Sequence, residues 1–127
     1  MSVTVLIVDD SKLARIVAGK ALAELQPDWK KVEAGSAAEA LEIVARQAVD
    51  VALIDFNMTV KDGLELAGEL RADHPDMPLA IITANIQDEV VARARAIGAA
   101  FVPKPVTVDG IDGFVSGAAL RLRSKKA

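Results

Sequence analysis

Four places in this 127-residue chain set a polar side chain with reactive potential at the end of a short apolar run. They are Asp9-Asp10 after Val5-Leu6-Ile7-Val8, Asp55 after Val51-Ala52-Leu53-Ile54, Thr83 after Leu79-Ala80-Ile81-Ile82, and Lys104 shortly after Ala100-Phe101-Val102. A single aspartate so placed is most simply a turn former or a helix cap, and a single lysine or threonine there a surface ion pair or an ordinary hydroxyl. Their joint occurrence at successive run ends calls for a chemical reading. Three carboxylates brought to one crevice repel one another, so either a proton is taken up or a cation is bound. With no cysteine and one distant histidine, the ligand set is oxygen only and suits a hard cation such as Mg2+. A carboxylate attacks a phosphoryl group when the charge on the equatorial oxygens is neutralised. A cation on one side, Lys104 on another and the Thr83 hydroxyl on a third would do this, which makes Asp55 the candidate nucleophile.

The elements that must position these groups follow from pattern. Short unbroken apolar runs read as strands buried on both faces of a parallel sheet, and four of them end at the residues above. Lys31-Val32-Glu33-Ala34 is a fifth strand, short and polar enough for an edge, and it contributes no obvious reactive group. Between the strands lie helical stretches. Ser11 or Asp10 is placed to cap the first, whose stripe is Ala14, Val17, Ala18, Ala21 and Leu25, with Leu13 and Ile16 off the stripe as an exposed apolar patch or an edge against a neighbouring helix. Ser36-Ala37-Ala38-Glu39 is a capping box opening the second, which runs to about Arg46. The third is expected from about Leu64 to Arg71, and the fourth from Asp88 to Ile97, closed by Gly98. The fifth runs from about Val108 to Arg123, with Ile111, Phe114, Val115, Ala118 and Leu122 on its inner face and three glycines that make it the least stable. Alternating strands and helices give an open, doubly wound parallel α/β sheet, whose sites form outside the carboxyl ends of the strands.

Composition sets the limits. A chain of 13.4 kDa is one domain, 1–127, with a basic tail from about 121 that is most simply a solvated helix end. At 52% hydrophobic and 3% aromatic, its core must be Val, Ile, Leu and Ala. The net charge of -3, with acids and bases interspersed, argues against nucleic acid as a direct partner. No signal-like segment or membrane-length apolar run is present, and the lack of cysteine is compatible with a reducing compartment, so a cytoplasmic protein is expected. His74 is most simply a solvated loop residue. Trp29 precedes the second strand, and so belongs to the end of the sheet opposite Asp55.

Taken together, Asp9-Asp10, Asp55, Asp62-Gly63, Thr83-Ala84 and Lys104-Pro105 resemble the receiver domains of two-component response regulators, of the single-domain type similar to the chemotaxis regulator. The matching residues span nearly the whole chain in order. The resemblance implies a flavodoxin-like sheet of order 2-1-3-4-5 and a phosphorylation-activated switch rather than an enzyme with substrate turnover. It implies that Asp55 accepts a phosphoryl group from a phosphohistidine of a sensor histidine kinase or histidine phosphotransfer protein. Asp10, the Asp55 side chain and the backbone carbonyl of Asn57 would hold Mg2+, with Asp9 acting through a bound water. Thr83 and Phe101 would be the switch pair, changing the face made by the fourth helix, fifth strand and fifth helix for an unidentified target protein. The Lys104-Pro105 bond would be cis.

Three positions depart from the family pattern: Thr59 stands where a proline is common, Phe101 lacks the hydroxyl of a tyrosine, and Val106 stands where an aromatic residue is frequent. Asn57 and Asn85 flank the phosphoryl site and are expected to help set the lifetime of the phosphate. Leu13 and Ile16 with the Pro105-Val106 loop form the expected docking surface for the donor, and with no output segment the regulator is expected to stand alone. A phosphatase with an aspartyl-phosphate intermediate is the competing enzyme reading, but it wants a second aspartate where Asn57 stands. A scaffold with a relic pocket would have no need to keep Asp10, Asp55, Thr83 and Lys104 together. A nucleotide-binding flavodoxin relative would carry a glycine-rich turn after the first strand, and there is none.

Overall fold

The computed structural model describes residues 3–58, 62–84 and 87–126. In chain order the elements are β1 (Thr4–Val8), α1 (Lys12–Leu25), β2 (Lys30–Ala34), α2 (Ala37–Arg46), β3 (Val51–Asp55), α3 (Gly63–Asp73), β4 (Leu79–Thr83), α4 (Asp88–Ala96), β5 (Ala100–Pro103) and α5 (Val108–Lys126). The strands form one parallel sheet in the order β2-β1-β3-β4-β5. This is the expected doubly wound, flavodoxin-like arrangement. The apolar strands β1, β3 and β4 take the centre, while Lys30-Lys31-Val32-Glu33-Ala34, mostly exposed, takes an edge where one side needs no cover.

Side-chain alternation along each strand divides the core in two. Leu6, Val8, Ala52, Ile54 and Ile81 face α2, α3 and α4. Val5, Ile7, Leu53, Ala80 and Val102 face α1 and α5. Register then places the site: Val8 lies opposite Ala34 and Ile54, Asp55 opposite Ile82, and Thr83 opposite Pro103. The strands therefore end level, and whatever follows them emerges at one rim.

Several local expectations are corrected. The buried stripe of α1 is Ala18, Ala21 and Leu22, whereas Val17 is 37% exposed, so the helix is rolled and leaves Val17 on the rim beside Leu13. The Ser36 oxygen accepts from the Glu39 N–H at 3.1 Å, but the Glu39 carboxylate reaches past the cap to the Gly35 N–H at 2.8 Å. A full capping box lies instead at Asp62 and Glu65, which bond each other's backbone N–H groups and let α3 start at Gly63, earlier than its apolar pattern indicates. Gly98 closes α4 with φ 69°, the left-handed geometry that suits glycine. Thr59 and Asn85 lie outside the described residues. Of the basic tail, Arg121 donates to the Asp76 carbonyl at 3.3 Å, and Ala127 is not described.

Candidate functional site

Asp9 follows β1, Asp55 is the last residue of β3, and Lys104 follows β5. The level strand ends bring all three to one crevice of about 570 Å³, which also takes in Asp10 and Asn57. One oxygen from each of Asp9, Asp10 and Asp55 lies within 4.8 Å of the others. Asp9 and Asp55 are 4% and 1% exposed, and Asp10 opens to solvent. The pocket is thus an acidic funnel with its floor in the core.

Each acid is held differently. Asp9 donates its N–H to the Ala34 carbonyl at 3.1 Å, and its Oδ1 accepts from the Ser11 N–H at 2.9 Å, so its side chain is tied to the first turn of α1. The carboxylate of Asp55 accepts from the Asn57 N–H. Its Oδ1 is buried and pairs with Lys104 Nζ at 2.6 Å, a charge-assisted contact. Among the described residues no donor other than the Lys104 ammonium reaches that oxygen. The Lys104 N–H bonds the Thr83 carbonyl at 3.1 Å, and the Lys104-Pro105 peptide is cis, as expected.

The charge balance is unequal. Burial pushes the Asp55 carboxyl up; contact with Lys104 pulls it down, the charge of Asp9 pushes it up again, and the first effect prevails. For Lys104 burial acts to lower the ammonium, but the contact with Asp55 and the charges of Asp55, Asp9 and Asp10 outweigh it and the group is raised. One ammonium serves three carboxylates. Three carboxylate oxygens within 4.8 Å of one another form an all-oxygen set of the kind a hard divalent cation takes, so these residues fit such an ion.

The remaining expected residues are placed as follows. Thr83 is buried at the end of β4, and its neighbour Ala84 lines the crevice wall. Phe101 is half-buried on β5 opposite Ile81 and packs against the core shared by α2, α3 and α4. The apolar lip of the crevice is Leu13, Val17, Pro105 and Val106. Leu13 is exposed as expected, but Ile16 is turned away to a separate groove beside β2, with Lys31 and Glu33, so Val17 takes the place expected of it. His74 is the C-cap of α3 and half-buried rather than fully solvated. Trp29 is buried near Val3 and Leu122, at the far end of the sheet from Asp55.

Two positions that pack against the site do not carry a reactive group of it, and one of them, Gly63, was legible in sequence only through the Asp62-Gly63 match. Gly63 packs on the backbone of Asp55: a Cβ there would overlap the Asp55 carbonyl oxygen and stand 2.9 Å from Phe56 Cα. Its N–H also bonds the Phe56 carbonyl at 3.0 Å. The other is Arg15, whose guanidinium reaches the Asp9 carbonyl at 2.6 Å and Glu33 at 2.8 Å. The Asp62-Gly63-Leu64-Glu65 pattern was a usable signal for the first, but nothing local in sequence announces the second.

Residues 5–115 match the family model described as the response regulator receiver domain. The chain is 36% identical over 104 residues to the DNA-binding transcriptional regulator NtrC of Escherichia coli, covering 81% of this chain and 22% of that protein. It is 32% identical over 108 residues to the transcriptional regulatory protein GlrR of Escherichia coli, covering 84% of this chain and 23% of that protein. The chain therefore spans less than a quarter of the length of these relatives. In fold it is similar to a solved structure of the Vibrio cholerae chemotaxis protein CheY4, with a TM-score of 0.83 and 24% identity, covering 93% of this chain and 99% of that one.

Proposed function

The chain belongs to the receiver domains of two-component response regulators, a family of phosphorylation-activated switches, and from that premise we propose that Asp55 is its phosphoacceptor. The observation that carries this reading is the pairing of a buried Asp55 oxygen with Lys104 at 2.6 Å, on the floor of an acidic crevice. In the reaction an Asp55 oxygen forms a bond to phosphorus as the phosphorus–nitrogen bond of a phosphohistidine breaks. The freed imidazole keeps the electron pair and takes its proton from solvent.

Asp10, Asp55 and the Asn57 carbonyl would hold Mg2+, with Asp9 behind them. When bound, the ion neutralises charge on the phosphoryl oxygens. Lys104 would pass from the Asp55 oxygen to a phosphoryl oxygen, and the Thr83 hydroxyl would donate to another, giving Phe101 its cue on the neighbouring strand. The altered face of α4, β5 and α5 would then be read by a target protein. The donor is a sensor histidine kinase or a histidine phosphotransfer protein, seated on the Leu13, Val17 and Pro105-Val106 lip. The chain's own chemistry is confined to its phosphorylation and dephosphorylation. Residues 1–127 act as one receiver unit, in a cytoplasmic setting that suits a chain without cysteine. Among the described residues no helix is long and apolar enough to cross a membrane.

Intact mass after incubation with acetyl phosphate tests the assignment. The wild type gains one phosphoryl group only when Mg2+ is present, and Asp55→Ala gains none. A phosphorylated Asp55→Ala protein, or a folded wild type that takes up no phosphate under any Mg2+ concentration, overturns it.

A further inference from the structure

The edge strand β2 sends no side chain into the crevice, yet it is connected to the acid pair through Arg15. The Arg15 side chain is 16% exposed and lies over the rim of the sheet. Its Nε donates to Glu33 Oε1 at 2.8 Å, and its NH1 donates to the Asp9 carbonyl at 2.6 Å. That carbonyl belongs to the peptide unit whose N–H is that of Asp10. The plane of this unit sets the direction in which the Asp10 Cα presents its carboxylate. Asp9 is otherwise fixed by its N–H on Ala34 and by the Ser11 N–H on its side chain. Among the described residues no protein donor to the Asp10 carboxylate is seen, so its direction depends on the backbone beneath it.

We propose that Arg15 is a positioning residue for the acid pair: by holding the Asp9 carbonyl it aims the Asp10 carboxylate toward Asp55, and Glu33 on β2 aims Arg15 in turn. The proposal rests on the reading of the acid cluster as a divalent cation site. Guanidinium suits this task because its planar fork places two donors on two acceptors at a fixed angle. Lysine has the charge without the fork. A purely electrostatic role would have the opposite consequence, since a cation beside the acid cluster opposes binding of a second one.

The sign of one measurement therefore separates positioning from charge. In the full chain, Mn2+ binding is followed by electron paramagnetic resonance and Mg2+ by competition, with the Asp10 amide resonance as a report on the peptide plane. Arg15→Gln weakens the cation about ten-fold, the low end for removal of a group behind a metal ligand. It also shifts the Asp10 amide. Arg15→Lys does not restore affinity. Glu33→Gln, at a half-exposed side chain that threatens folding little, gives a smaller loss in the same direction. Unchanged or tighter binding in a folded Arg15→Gln, or full affinity in Arg15→Lys, overturns the proposal while leaving the cation site standing. Absence of Mn2+ binding in the wild type overturns both.

Discussion

Replacing Asp55 by asparagine should stabilise the cation-free protein near neutral pH, although it removes the charge that pairs with Lys104. Asp55 is 1% exposed, so its ionised form bears a desolvation penalty in the native state. Against this stands Lys104 at 2.6 Å, worth roughly 6 kcal/mol at an effective dielectric constant of about 20. The charge of the buried Asp9 opposes this pairing. Burial together with Asp9 outweighs the pairing with Lys104, since the carboxyl is raised on balance. Asparagine removes the repulsion and most of the penalty while its amide oxygen still meets the ammonium, and a gain of about 1 kcal/mol is expected at about pH 7.5. The direction with pH follows from the raised Asp55 carboxyl. A raised acid supports the fold while protonated and withdraws that support as pH climbs from its ordinary value through its folded one. The advantage of asparagine should therefore vanish below about pH 4 and be complete above the folded value. Urea unfolding followed by circular dichroism across this range, with chelator present, measures it. Saturating Mg2+ should reverse the order, since a ligand at a hundredfold its dissociation constant adds about 2.7 kcal/mol to the wild type and less to a variant lacking one ligand. An Asp55→Asn protein less stable than the wild type in chelator, or a difference that ignores pH, refutes the reasoning.

Lys104→Met leaves Asp55 buried without its countercharge, so phosphorylation by acetyl phosphate should fall by about a hundredfold, as when a preorganised charge is removed from a transition state. The rate at saturating Mg2+ checks this. Gly63→Ala should cost about 2 kcal/mol in urea unfolding, because the added methyl overlaps the Asp55 carbonyl and overpacking is penalised. Gly113→Ala, on an exposed face of α5 with nothing within 4 Å, should instead gain about 0.5 to 1 kcal/mol. Leu13→Glu and Val17→Glu should slow transfer from a cognate phosphohistidine donor and leave the rate from acetyl phosphate unchanged; equal slowing of both would place these residues in the chemistry instead of the docking lip.

The strands and their reactive ends were legible because the rule behind them is local. A short apolar run has to be buried, and the polar residue that stops it marks where the chain leaves the core. Asp9, Asp55 and Lys104 meet for that reason, and the level register of the parallel strands does the rest. What sequence did not disclose depends on angle rather than on type. Val17 and Ile16 are both apolar and one residue apart on α1, and only the roll of the helix on the sheet decides which lines the crevice and which faces β2. Glu39 reaches Gly35 instead of Ser36 because the chain entering α2 brings that N–H nearer, a detail of the loop and not of the cap pattern. Arg15 was silent for a related reason. Its partners are a backbone carbonyl and a side chain 18 positions away, and neither spacing belongs to a motif.

The same contrast explains why so small a domain tolerates an unbalanced site. The two cores flank a sheet whose central strands are buried along nearly their whole length, and the acids stand only at the rim where those strands stop. A carboxylate one turn deeper would have to be protonated or paired outright. At the rim, Asp55 stands on the floor of the crevice while Asp10 remains in water. Lys104 holds the place of positive charge through a single contact with Asp55, aided by the charges of Asp9 and Asp10. On the proposed reading, the surplus of negative charge would favour a cation, and the pairing through one flexible ammonium would let Lys104 follow the charge from the carboxylate to a phosphoryl oxygen.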